Sequence, residues 1–594
     1  MVRLFRAALA LVSFMPCAAI VQGARADGLT LTPSLPSGQP VGTSILWTAT
    51  APAPSGMLYQ FSIARAAAPF LVVRDFSPVS VLSWTPIEEG TFSIKVVAKP
   101  GWGSTTTTEA GASFTVLSRL TDSDPVVTGT DHPLIAFYSA PPCAAGYMYV
   151  EFGPVGGQFW QRTSPKACRP GQSMNFYVAG MRPATTHMMR QVTVNGASVD
   201  RGPVRQFTTG TPVISPPPLS IPDPYDANTS LYDGIVLQSM LATSQLQYNF
   251  PFATDIAGRL LWYYDRALPS SGILAYIVRP VDGGTMLVFG ACCGSYHLLW
   301  EIDLAGHTLR ETNILRINEQ LVAHGQDAIR TFHHEATRLP NGYTVLLGFV
   351  ERPGPAGSPP IMGDMIIVLD TNWQVVWTWN AFEHLDVSRG PVLGETCAVA
   401  YELLCAASSP QAVDWLHSNS LDYSPPDGNL IMSMRHQDWV IKIDYQNGAG
   451  TGAVLWRFGQ GGDFTIASAD PSPWFSHQHD AQYVGTNQIA LFDNGNTRCH
   501  DAPPPCNSRG QVFDIDEAQH RATLRVNADL GGYSDRFGSA QELSNGNFSF
   551  ASGFLFAVAS QSIETRPDGS LNWVLQTGAT MYRSFRMKTL YRQQ

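Results

Sequence analysis

The sequence lacks features that several classes of protein require. Only 14% of its 594 residues are charged, no long basic run occurs and the formal charge is −10, which argues against a nucleic-acid partner. After the N-terminal segment, no apolar stretch is long enough to cross a bilayer, so we expect no membrane span. The sequence also contains no P-loop motif, GxxxxGK[ST], that could hold a nucleotide donor.

Turn-forming and aromatic residues, by contrast, are abundant. The chain has 52 glycines, 43 prolines and 11% aromatic residues, a composition typical of short strands separated by turns. Alternating apolar and polar residues predict an all-β chain that begins with two small β-sandwiches, immunoglobulin-like over residues 28–117 and fibronectin-III-like over 118–211. We expect them to act as spacers or oligomerisation surfaces, with a homodimer as the candidate assembly. A proline-rich linker, PVISPPPLSIPDP, follows at 212–224.

The N-terminus predicts export from the cytoplasm. Residues 1–26 combine a basic start, an apolar stretch and a small-residue site, the pattern of a signal peptide cleaved near Ala26. The mature chain would then be a soluble periplasmic or secreted protein. It would keep eight cysteines, an even number that suits an oxidising compartment. Cys292 and Cys293 are adjacent and either pair with each other or stay reduced. Sequence distance favours three local disulfides, Cys143/Cys168, Cys397/Cys405 and Cys499/Cys506.

Two elements repeat in residues 225–594. The first is an apolar strand, an acidic residue, a short turn and a second apolar strand. It occurs six times, at Asp255, Asp303, Asp370, Asp444, Asp516 and Asp568. The second is a turn followed by an apolar strand. It occurs five times, as VDGGTMLVFG, LPNGYTVLLG, PPDGNLIMSM, VGTNQIALF and LSNGNFSFAS. With four strands per repeat, and the C-terminal MYRSFRMKTLY completing the sheet begun by residues 225–265, the pattern predicts a closed six-bladed β-propeller.

Alignment of the repeats on the second element brings three histidines into register. His334, His417 and His479 fall at the head of three successive inner strands, which line the central channel of a propeller. Arg435, at the end of the strand that follows His417, could reach the same mouth of the channel. A sheet interior excludes such groups unless they are paired or face a cavity, so we predict one shared polar site.

Other polar residues lie next to these four. We expect His333, His436 and His477 to support the predicted site residues. We expect Glu335 and Asp480 to orient histidines or to lie in solvent.

The residue types at the predicted site favour anion chemistry. Three neutral imidazoles could bind a divalent metal such as zinc, but an arginine directed at the same point would repel the cation. Arginine and histidine donors instead match a small tetrahedral anion, and a neutral imidazole can act as a nucleophile. These properties favour the transfer of a sulfuryl or phosphoryl group from a small ester.

The motifs that contain these residues resemble those of the bacterial aryl-sulfate sulfotransferases. In order, they are FHHEATRLPNG, DWLHSNSLDYSPPDGNLIMSMRHQDWVIKID, VLWRFGQGGDF, FSHQHDAQ, IALFDNGNTR and YRSFRMKTLY. The resemblance covers most of residues 225–594. It implies a periplasmic six-bladed propeller that moves a sulfuryl group between phenols without a nucleotide donor, and we expect no cofactor. The β-rich N-terminal region is longer than the single small domain expected in this family.

The resemblance also assigns roles to the site residues. His479 of HQHDA would be the sulfated nucleophile, while His417, Arg435 and the histidine of FHHEA would hold the sulfuryl oxygens and handle protons. Within FHHEA, the register of the repeats favours His334 over His333. The division of acid and base roles between His334 and His417 stays open at this stage.

Three other functions are compatible with the sequence. A metal-dependent hydrolase or lactonase would use His334, His417 and His479 as ligands. A quinone-dependent dehydrogenase is suggested by adjacent cysteines, but that family usually has eight blades with regular tryptophan motifs. A non-catalytic propeller of the cell envelope would bind glycans or protein partners and would form no covalent adduct with an aryl sulfate.

Overall fold

The computed structural model describes residues 28–591, apart from 54, 158–160, 242–244, 266–274, 292–296, 399–404, 406, 501–505 and 557–558. The expected signal peptide and the Cys292-Cys293 pair lie outside the described residues. Strands account for 51% of the structure and helices for 6%, which confirms the prediction of an all-β chain. In the described part of the chain, no helix is long and apolar enough to span a membrane.

Residues 28–117 form two sheets that share one core. One sheet has the strand order β1-β3-β6 and the other β2-β8-β7-β4-β5. The indole of Trp47 in the first sheet packs edge-on against Phe114 in the second, with ring centroids 5.6 Å apart. The strands are β1 (Thr30–Pro33), β2 (Gln39–Pro40), β3 (Ile45–Thr50), β4 (Met57–Arg65), β5 (Leu71–Ser77), β6 (Val81–Trp84), β7 (Gly90–Pro100) and β8 (Thr108–Leu117).

Residues 118–211 form a second pair of sheets. One has the order β14-β10-β9; the other has the order β12-β11-β15-β16, with β13 also beside β11 and β17 beside β15. The predicted disulfide between Cys143 and Cys168 is present. The strands are β9 (Val126–Gly129), β10 (Ala136–Ala140), β11 (Tyr147–Pro154), β12 (Gln161–Arg162), β13 (Lys166–Ala167), β14 (Met174–Val178), β15 (Thr186–Asn195), β16 (Ser198–Arg201) and β17 (Arg205–Thr208).

The rest of the chain contains six antiparallel sheets with four main strands each, numbered here sheets 1 to 6. Five are built from consecutive strands, and sheet 1 takes one strand from the C-terminus. Sheet 1 begins with β19 (Ile235–Met240), β20 (Phe252–Asp255) and β21 (Leu260–Tyr263). Sheet 2 contains β22 (Ala275–Val281), β23 (Thr285–Ala291), β24 (Leu298–Asp303) and β25 (Thr308–Asn313). Sheet 3 contains β26 (Thr331–Arg338), β27 (Thr344–Arg352), β28 (Ile361–Leu369) and β29 (Val375–Asn380).

The same arrangement continues to the C-terminus. Sheet 4 contains β31 (Ser418–Ser424), β32 (Asn429–Met434), β33 (Trp439–Ile443) and β34 (Val454–Gly459). Sheet 5 contains β36 (His479–Val484), β37 (Gln488–Asp493), β38 (Arg509–Asp516) and β39 (Arg521–Asp529). Sheet 6 contains β40 (Gly538–Glu542), β41 (Phe548–Leu555), β42 (Ala559–Thr565) and β43 (Leu571–Thr577). The last strand, β44 (Met581–Met587), pairs with β19 and completes sheet 1.

Four other strands pair with these sheets at their margins, and one of them is β5 of the N-terminal region, which runs parallel to β25 of sheet 2. Short strands β30 (Val413–Asp414) and β35 (Thr465–Ala467) run parallel to β28 and β39. Strand β18 (Leu219–Asp223) pairs with β43 of sheet 6. Part of the predicted linker therefore forms a sheet edge.

The repeated acidic residue has a local structural role. In every sheet it lies at the turn between the third and fourth strands, counting β44 as the first strand of sheet 1. The carboxylate accepts backbone N–H groups of its own turn, as at Asp370, which accepts from Asn372 (2.7 Å) and Gln374 (2.9 Å). Aspartate favours such turns because its short side chain can bond the backbone two residues ahead.

Consecutive sheets are tied together at two levels. Their first strands contact one another, including β40 of sheet 6 with β44 of sheet 1. In addition, a tryptophan in the fourth strand of three sheets donates its indole N–H to a carbonyl in the acidic turn of the next sheet. These bonds join Trp262 to Leu304 (2.8 Å), Trp379 to Gly452 (2.8 Å) and Trp573 of sheet 6 to Ile256 of sheet 1 (3.0 Å).

The helices are short and lie in connections between strands. Helix α1 (Ile314–Ala323) follows sheet 2 and docks on the N-terminal region, where Arg316 pairs with Asp75 (3.2 Å). Helix α2 (Ala381–His384) follows sheet 3, and helix α3 (Asn496–His500) follows β37. Single 3-10 turns occur at Leu246–Tyr248, Arg435–Gln437 and Gln446–Gly448.

Two predicted disulfides close loops beside sheets 3 and 5. Cys397 bonds Cys405 in the connection that follows α2, and Cys499 bonds Cys506 at the end of α3. With Cys143–Cys168, all three local pairs expected from sequence spacing are confirmed.

Candidate active site

The first strands of sheets 3, 4 and 5 are irregular where their histidines lie. His334, His417 and Asp480 have φ angles of 56°, 50° and 54°, in the left-handed region that costs a non-glycine residue about 1–2 kcal/mol. Such bulges redirect side chains at the end of a strand. The register of pairing shifts between His333 and Ala336, between Ser418 and Ser420, and between His479 and Gln482.

The histidine side chains form one cluster. The ring of His334 lies 4.9 Å from that of His417 and 5.1 Å from that of His333. The ring of His417 lies 4.7 Å from that of His436, centroid to centroid. The nearby His479 is one of the groups that lower the pKa of His334, and Arg435 and His417 in turn lower the pKa of His479. The four residues singled out in the sequence, His334, His417, Arg435 and His479, thus lie within one polar cluster.

His479 is held as a neutral imidazole with a defined tautomer. Its Nδ1 lies 2.7 Å from Oδ1 of Asn494. The Asn494 amide nitrogen donates to the carbonyls of Ser534 (2.7 Å) and Phe537 (3.1 Å), which leaves Oδ1 as the acceptor that faces His479. Nδ1 therefore carries the proton and Nε2 the lone pair. Burial and the charge of Arg435 hold the pKa of His479 well below its ordinary value of 6.5.

His417 is coupled to a carboxylate. Its Nδ1 lies 2.6 Å from Oδ2 of Asp414, and both residues are buried. A carboxylate at this distance fixes Nδ1–H and stabilises the imidazolium form, as in a histidine–aspartate pair that transfers protons. This partner was not identified from the sequence, although Asp414 stands only three positions before His417 in the motif DWLH.

His334 has a different environment from His417. Its Nδ1 lies 2.8 Å from Nδ1 of His333, whose Nε2 is 3.4 Å from Asp364. Burial, followed by the nearby His417 and His333, holds the pKa of His334 well below 6.5. His334 is therefore a neutral imidazole rather than an imidazolium.

Arg435 and His436 form a linked pair. Nδ1 of His436 donates to the carbonyl oxygen of Asp414 (2.7 Å), so its Nε2 accepts a hydrogen bond from Nη1 of Arg435. Nη2 of Arg435 donates to the carbonyl of Asp535 (3.2 Å). Burial and the charge of Arg435 hold the pKa of His436 well below 6.5. His436 thus orients the guanidinium, a supporting role of the kind expected from the sequence.

His477 is clamped between two carboxylates. Its Nδ1 lies 2.8 Å from Asp438, and its Nε2 bonds Glu395 of the connection that follows α2. Burial lowers the pKa of His477, but the hydrogen bonds to Asp438 and Glu395 outweigh it and raise the pKa above 6.5. His477 thus ties this connection to sheet 5, and its two carboxylate partners favour the protonated ring.

The expectation for Glu335 and Asp480 was wrong. Both are buried and pair with arginines, because burial of an unpaired carboxylate is costly. Nη1 of Arg583 lies 2.6 Å from Glu335 and 3.4 Å from Asp480, and Nη1 of Arg279 lies 3.7 and 4.0 Å from the same carboxylates. In the part of the chain that the structure describes, the two acidic residues pair with arginines instead of histidines, and neither lies in solvent.

We expect Arg583→Met to lower the free energy of unfolding by about 3–5 kcal/mol, because two buried carboxylates would lose their main counter-charge. Arg566→Met is the matched control. Arg566 pairs with Asp226 at the surface, and its removal should cost about 1 kcal/mol or less. Denaturant titration of both variants measures the difference. Equal stabilities of the two variants would contradict the role assigned to Arg583.

The donor sets that could hold a metal ion differ from the predicted trio of histidines. In the described residues, two sets of three donors lie close enough to hold an ion, Asp414/His417/His436 and Glu395/His436/His477. The predicted trio of His334, His417 and His479 is not among them. Both observed sets include His436, whose Nε2 faces the Arg435 guanidinium, and this positive charge disfavours a cation there.

Two comparisons with known proteins indicate the family of the chain. The chain is 27% identical over 242 residues to the arylsulfate sulfotransferase AssT of Escherichia coli O6:H1, an alignment that covers 35% of this chain and 37% of the relative. The chain thus spans little more than a third of that relative's length. A sequence model described as arylsulfotransferase (ASST) matches residues 223–586, more than half of the chain and all of the site. The chain therefore belongs to the arylsulfotransferase (ASST) family.

Proposed function

We propose that the protein transfers a sulfuryl group from an aryl sulfate ester to a phenolic acceptor through a sulfohistidine intermediate, without a nucleotide. The observation that carries this proposal is the state of His479, a buried neutral imidazole whose lone pair is on Nε2 and whose Nδ1–H is held by Asn494. A pKa well below 6.5 keeps this nitrogen nucleophilic even in mildly acidic solution.

Arg435 and His334 bind the charged group that is transferred. The guanidinium, oriented by His436, presents N–H donors to the non-transferring sulfuryl oxygens. Neutral His334 donates a hydrogen bond to the same sulfuryl oxygens and does not compete with His417 for the proton that is transferred. Such transition states are loose, by analogy with phosphoryl transfer, so positioning and electrostatic stabilisation supply most of the rate.

In the first half-reaction, Nε2 of His479 attacks the sulfur in line with the aryl oxygen. The N–S bond forms as the S–O bond breaks, and the electron pair leaves on the phenolate oxygen. His417, in its imidazolium form beside Asp414, gives its Nε2 proton to that oxygen. The phenol departs and leaves sulfo-His479 and neutral His417.

In the second half-reaction, a second phenol enters the site. Neutral His417 takes the phenol proton as the oxygen attacks sulfur, and the N–S bond breaks to restore neutral His479. His417 ends as the imidazolium it began as, so the protons balance over one ping-pong cycle. The carboxylate of Asp414 favours His417 over His334 as the acid and base, which selects one of the alternatives that the sequence left open.

The proposed architecture is a six-bladed propeller over residues 225–594, preceded by an immunoglobulin-like domain (28–117), a fibronectin-III-like domain (118–211) and the linker 212–224. Six consecutive four-stranded sheets support it, as does the bond from Trp573 of sheet 6 to the acidic turn of sheet 1. Each blade then contributes its first strand to the channel, which accounts for the meeting of residues from sheets 3, 4 and 5.

The proposed location is the periplasm or the extracellular medium. Three disulfides support it, since such bonds persist in oxidising compartments. The proposed partners are a small phenolic sulfate donor and a phenol acceptor, with a homodimer as the proposed assembly.

Incubation with para-nitrophenyl sulfate, with and without phenol, tests this function. We expect sustained release of nitrophenol only when phenol is present. Without acceptor, we expect the intact mass of the chain to rise by one sulfuryl group. Sustained release of inorganic sulfate together with stoichiometric zinc or calcium would favour the hydrolase instead. The absence of both release and adduct would favour a binding protein.

A further inference from the structure

The connection that follows α2 contacts close neighbours of the site residues. Its residues 386–398 are called the strap here. Nε and Nη2 of Arg389 donate to the side-chain and main-chain oxygens of Gln437 (2.8 and 3.2 Å). The N–H of Val392 donates to the carbonyl of His436 (2.8 Å). The strap is thus bonded to the 3-10 turn that follows β32 and begins with the predicted arginine of the site.

Glu395 anchors the strap through its side chain. Oε1 bonds Nε2 of His477, and Oε2 accepts the N–H of Leu393 (3.1 Å), so both carboxylate oxygens have partners. His477 is only 1% exposed, and Asp438 holds its other ring nitrogen (2.8 Å). Hydrogen bonds to a carboxylate are about twice as strong as those between neutral groups. A buried ring that is bonded on both sides therefore gives the strap a firm attachment.

The main chain of Glu395 holds the carboxylate-bearing residue of the site. Its carbonyl accepts the N–H of Asp414 (3.1 Å), and Thr396 forms a β-bridge with Val413. On the other side, β30 pairs with β28 of sheet 3. Asp414 thus lies between β28 and the strap. A shift of the strap would move its carboxylate, which lies 2.6 Å from Nδ1 of His417.

Apolar burial contributes little to the position of the strap ahead of Glu395. Every residue from 386 to 394 is at least partly exposed. Val387, Val392 and Leu393 expose 39%, 39% and 40% of their surface. Segments that bury little apolar surface open at a low cost in free energy, and their polar bonds then decide where they lie. The bond from Glu395 to His477 is such a bond, next to the contact with Asp414.

We propose that Glu395 is a positioning residue for the proton transfer assigned to His417. Its carboxylate fixes the strap on His477, its carbonyl fixes the N–H of Asp414, and Asp414 holds the ring of His417. Glu395 acts only through these bonds and not on the substrate. The expected effect on rate rests on the proposed function, whereas the effect on the bond between Asp414 and His417 does not.

The choice of donor tests this role. Glu395→Ala frees the strap from His477, so we expect sulfuryl-adduct formation with phenyl sulfate to slow by about 10–10²-fold, the cost of a misplacement of about 1 Å. The loss should be much smaller with para-nitrophenyl sulfate, whose leaving group needs little help from an acid. The ratio of the two rates is independent of the fraction of chain that folds. A merely structural loss would therefore leave the ratio unchanged.

Three further variants sharpen the test. Glu395→Gln should keep a ratio near that of wild type, because an amide of the same reach both donates and accepts and can bond His477 in either protonation state. Glu383→Ala is the matched control, since Glu383 lies in α2, is 57% exposed in its side chain and pairs with Arg352. On an Asp414→Asn background, Glu395→Ala should change the ratio no further, because both substitutions act through one bond.

Nuclear magnetic resonance of the full chain, labelled on its histidine nitrogens, separates this inference from the proposed function. We expect the Nδ1–H signal of His417 to shift or broaden in Glu395→Ala and to stay as in wild type in Glu383→Ala. An unchanged ratio of rates in Glu395→Ala, or a full additional change on the Asp414→Asn background, would overturn the inference. A wild-type chain that forms no sulfuryl adduct would contradict the proposed function alone. In that case an unchanged His417 signal in Glu395→Ala would overturn the positioning role, and a changed signal would support it.

Discussion

The His479→Asn variant should lose sulfuryl transfer by about 10⁶-fold, the size of the fall in kcat when the nucleophile of a serine protease is removed. Asparagine keeps a polar side chain of similar reach but has no nitrogen lone pair that can attack sulfur. Intact-mass measurement after incubation with para-nitrophenyl sulfate should find no sulfuryl adduct on the variant. Release of nitrophenol should fall to the uncatalysed background.

His520→Asn is the matched control for this substitution. His520 lies in the turn between β38 and β39 with φ of 49°, a conformation that asparagine adopts readily, and its ring packs on Phe464 away from the cluster. This control should keep the adduct and the turnover of wild type. A full sulfuryl adduct on His479→Asn would show that another residue is the nucleophile.

The Asp414→Asn variant should lower the rate by about 10³–10⁴-fold with a poor leaving group, the size of effect known for loss of the carboxylate beside a catalytic histidine. Without the carboxylate, Nδ1 of His417 is no longer held as a donor and the imidazolium form loses its counter-charge. Protonation of the leaving phenolate and deprotonation of the entering phenol should both suffer.

The choice of donor separates this role from a purely structural one. Para-nitrophenolate is a stable leaving group that needs little help from an acid, whereas phenolate needs more. We therefore expect Asp414→Asn to slow adduct formation much more with phenyl sulfate than with para-nitrophenyl sulfate. Asp516→Asn, in an exposed turn of sheet 5, should leave both rates unchanged. An equal loss with the two donors would contradict proton transfer through His417.

The repeats could be predicted from sequence because their signals are local. Each acidic turn is built by a carboxylate that bonds the backbone only a few residues ahead, and the alternation of apolar strands around it is visible in a short window. All six predicted turns lie between the third and fourth strands of a sheet. The pairing of β44 with β19 is remote in sequence, but it was predictable because only one repeat lacked a strand.

The surroundings of the site residues were less predictable. Asp414, three positions before His417, is close enough in sequence that the motif DWLH could have indicated it. Asn494 lies fifteen positions after His479, in the motif FDNGN, and only the pairing of β36 with β37 brings it to Nδ1. The partner of Glu335 is Arg583, 248 positions away, and no local pattern identifies such a pair.

The sequence by itself therefore determined that the chain is all-β, that its larger part repeats in units of four strands, and which motifs tie it to the arylsulfotransferase (ASST) family. It also predicted that His334, His417, Arg435 and His479 lie in one site. Only the tertiary structure decided what surrounds each of them. Strand bulges set the direction of each imidazole, Asn494 set the tautomer of His479, and Asp414 placed a carboxylate 2.6 Å from Nδ1 of His417. The physical reason is that charge state and direction depend on the neighbours of a group in space, and in a folded sheet most of those neighbours are remote in sequence.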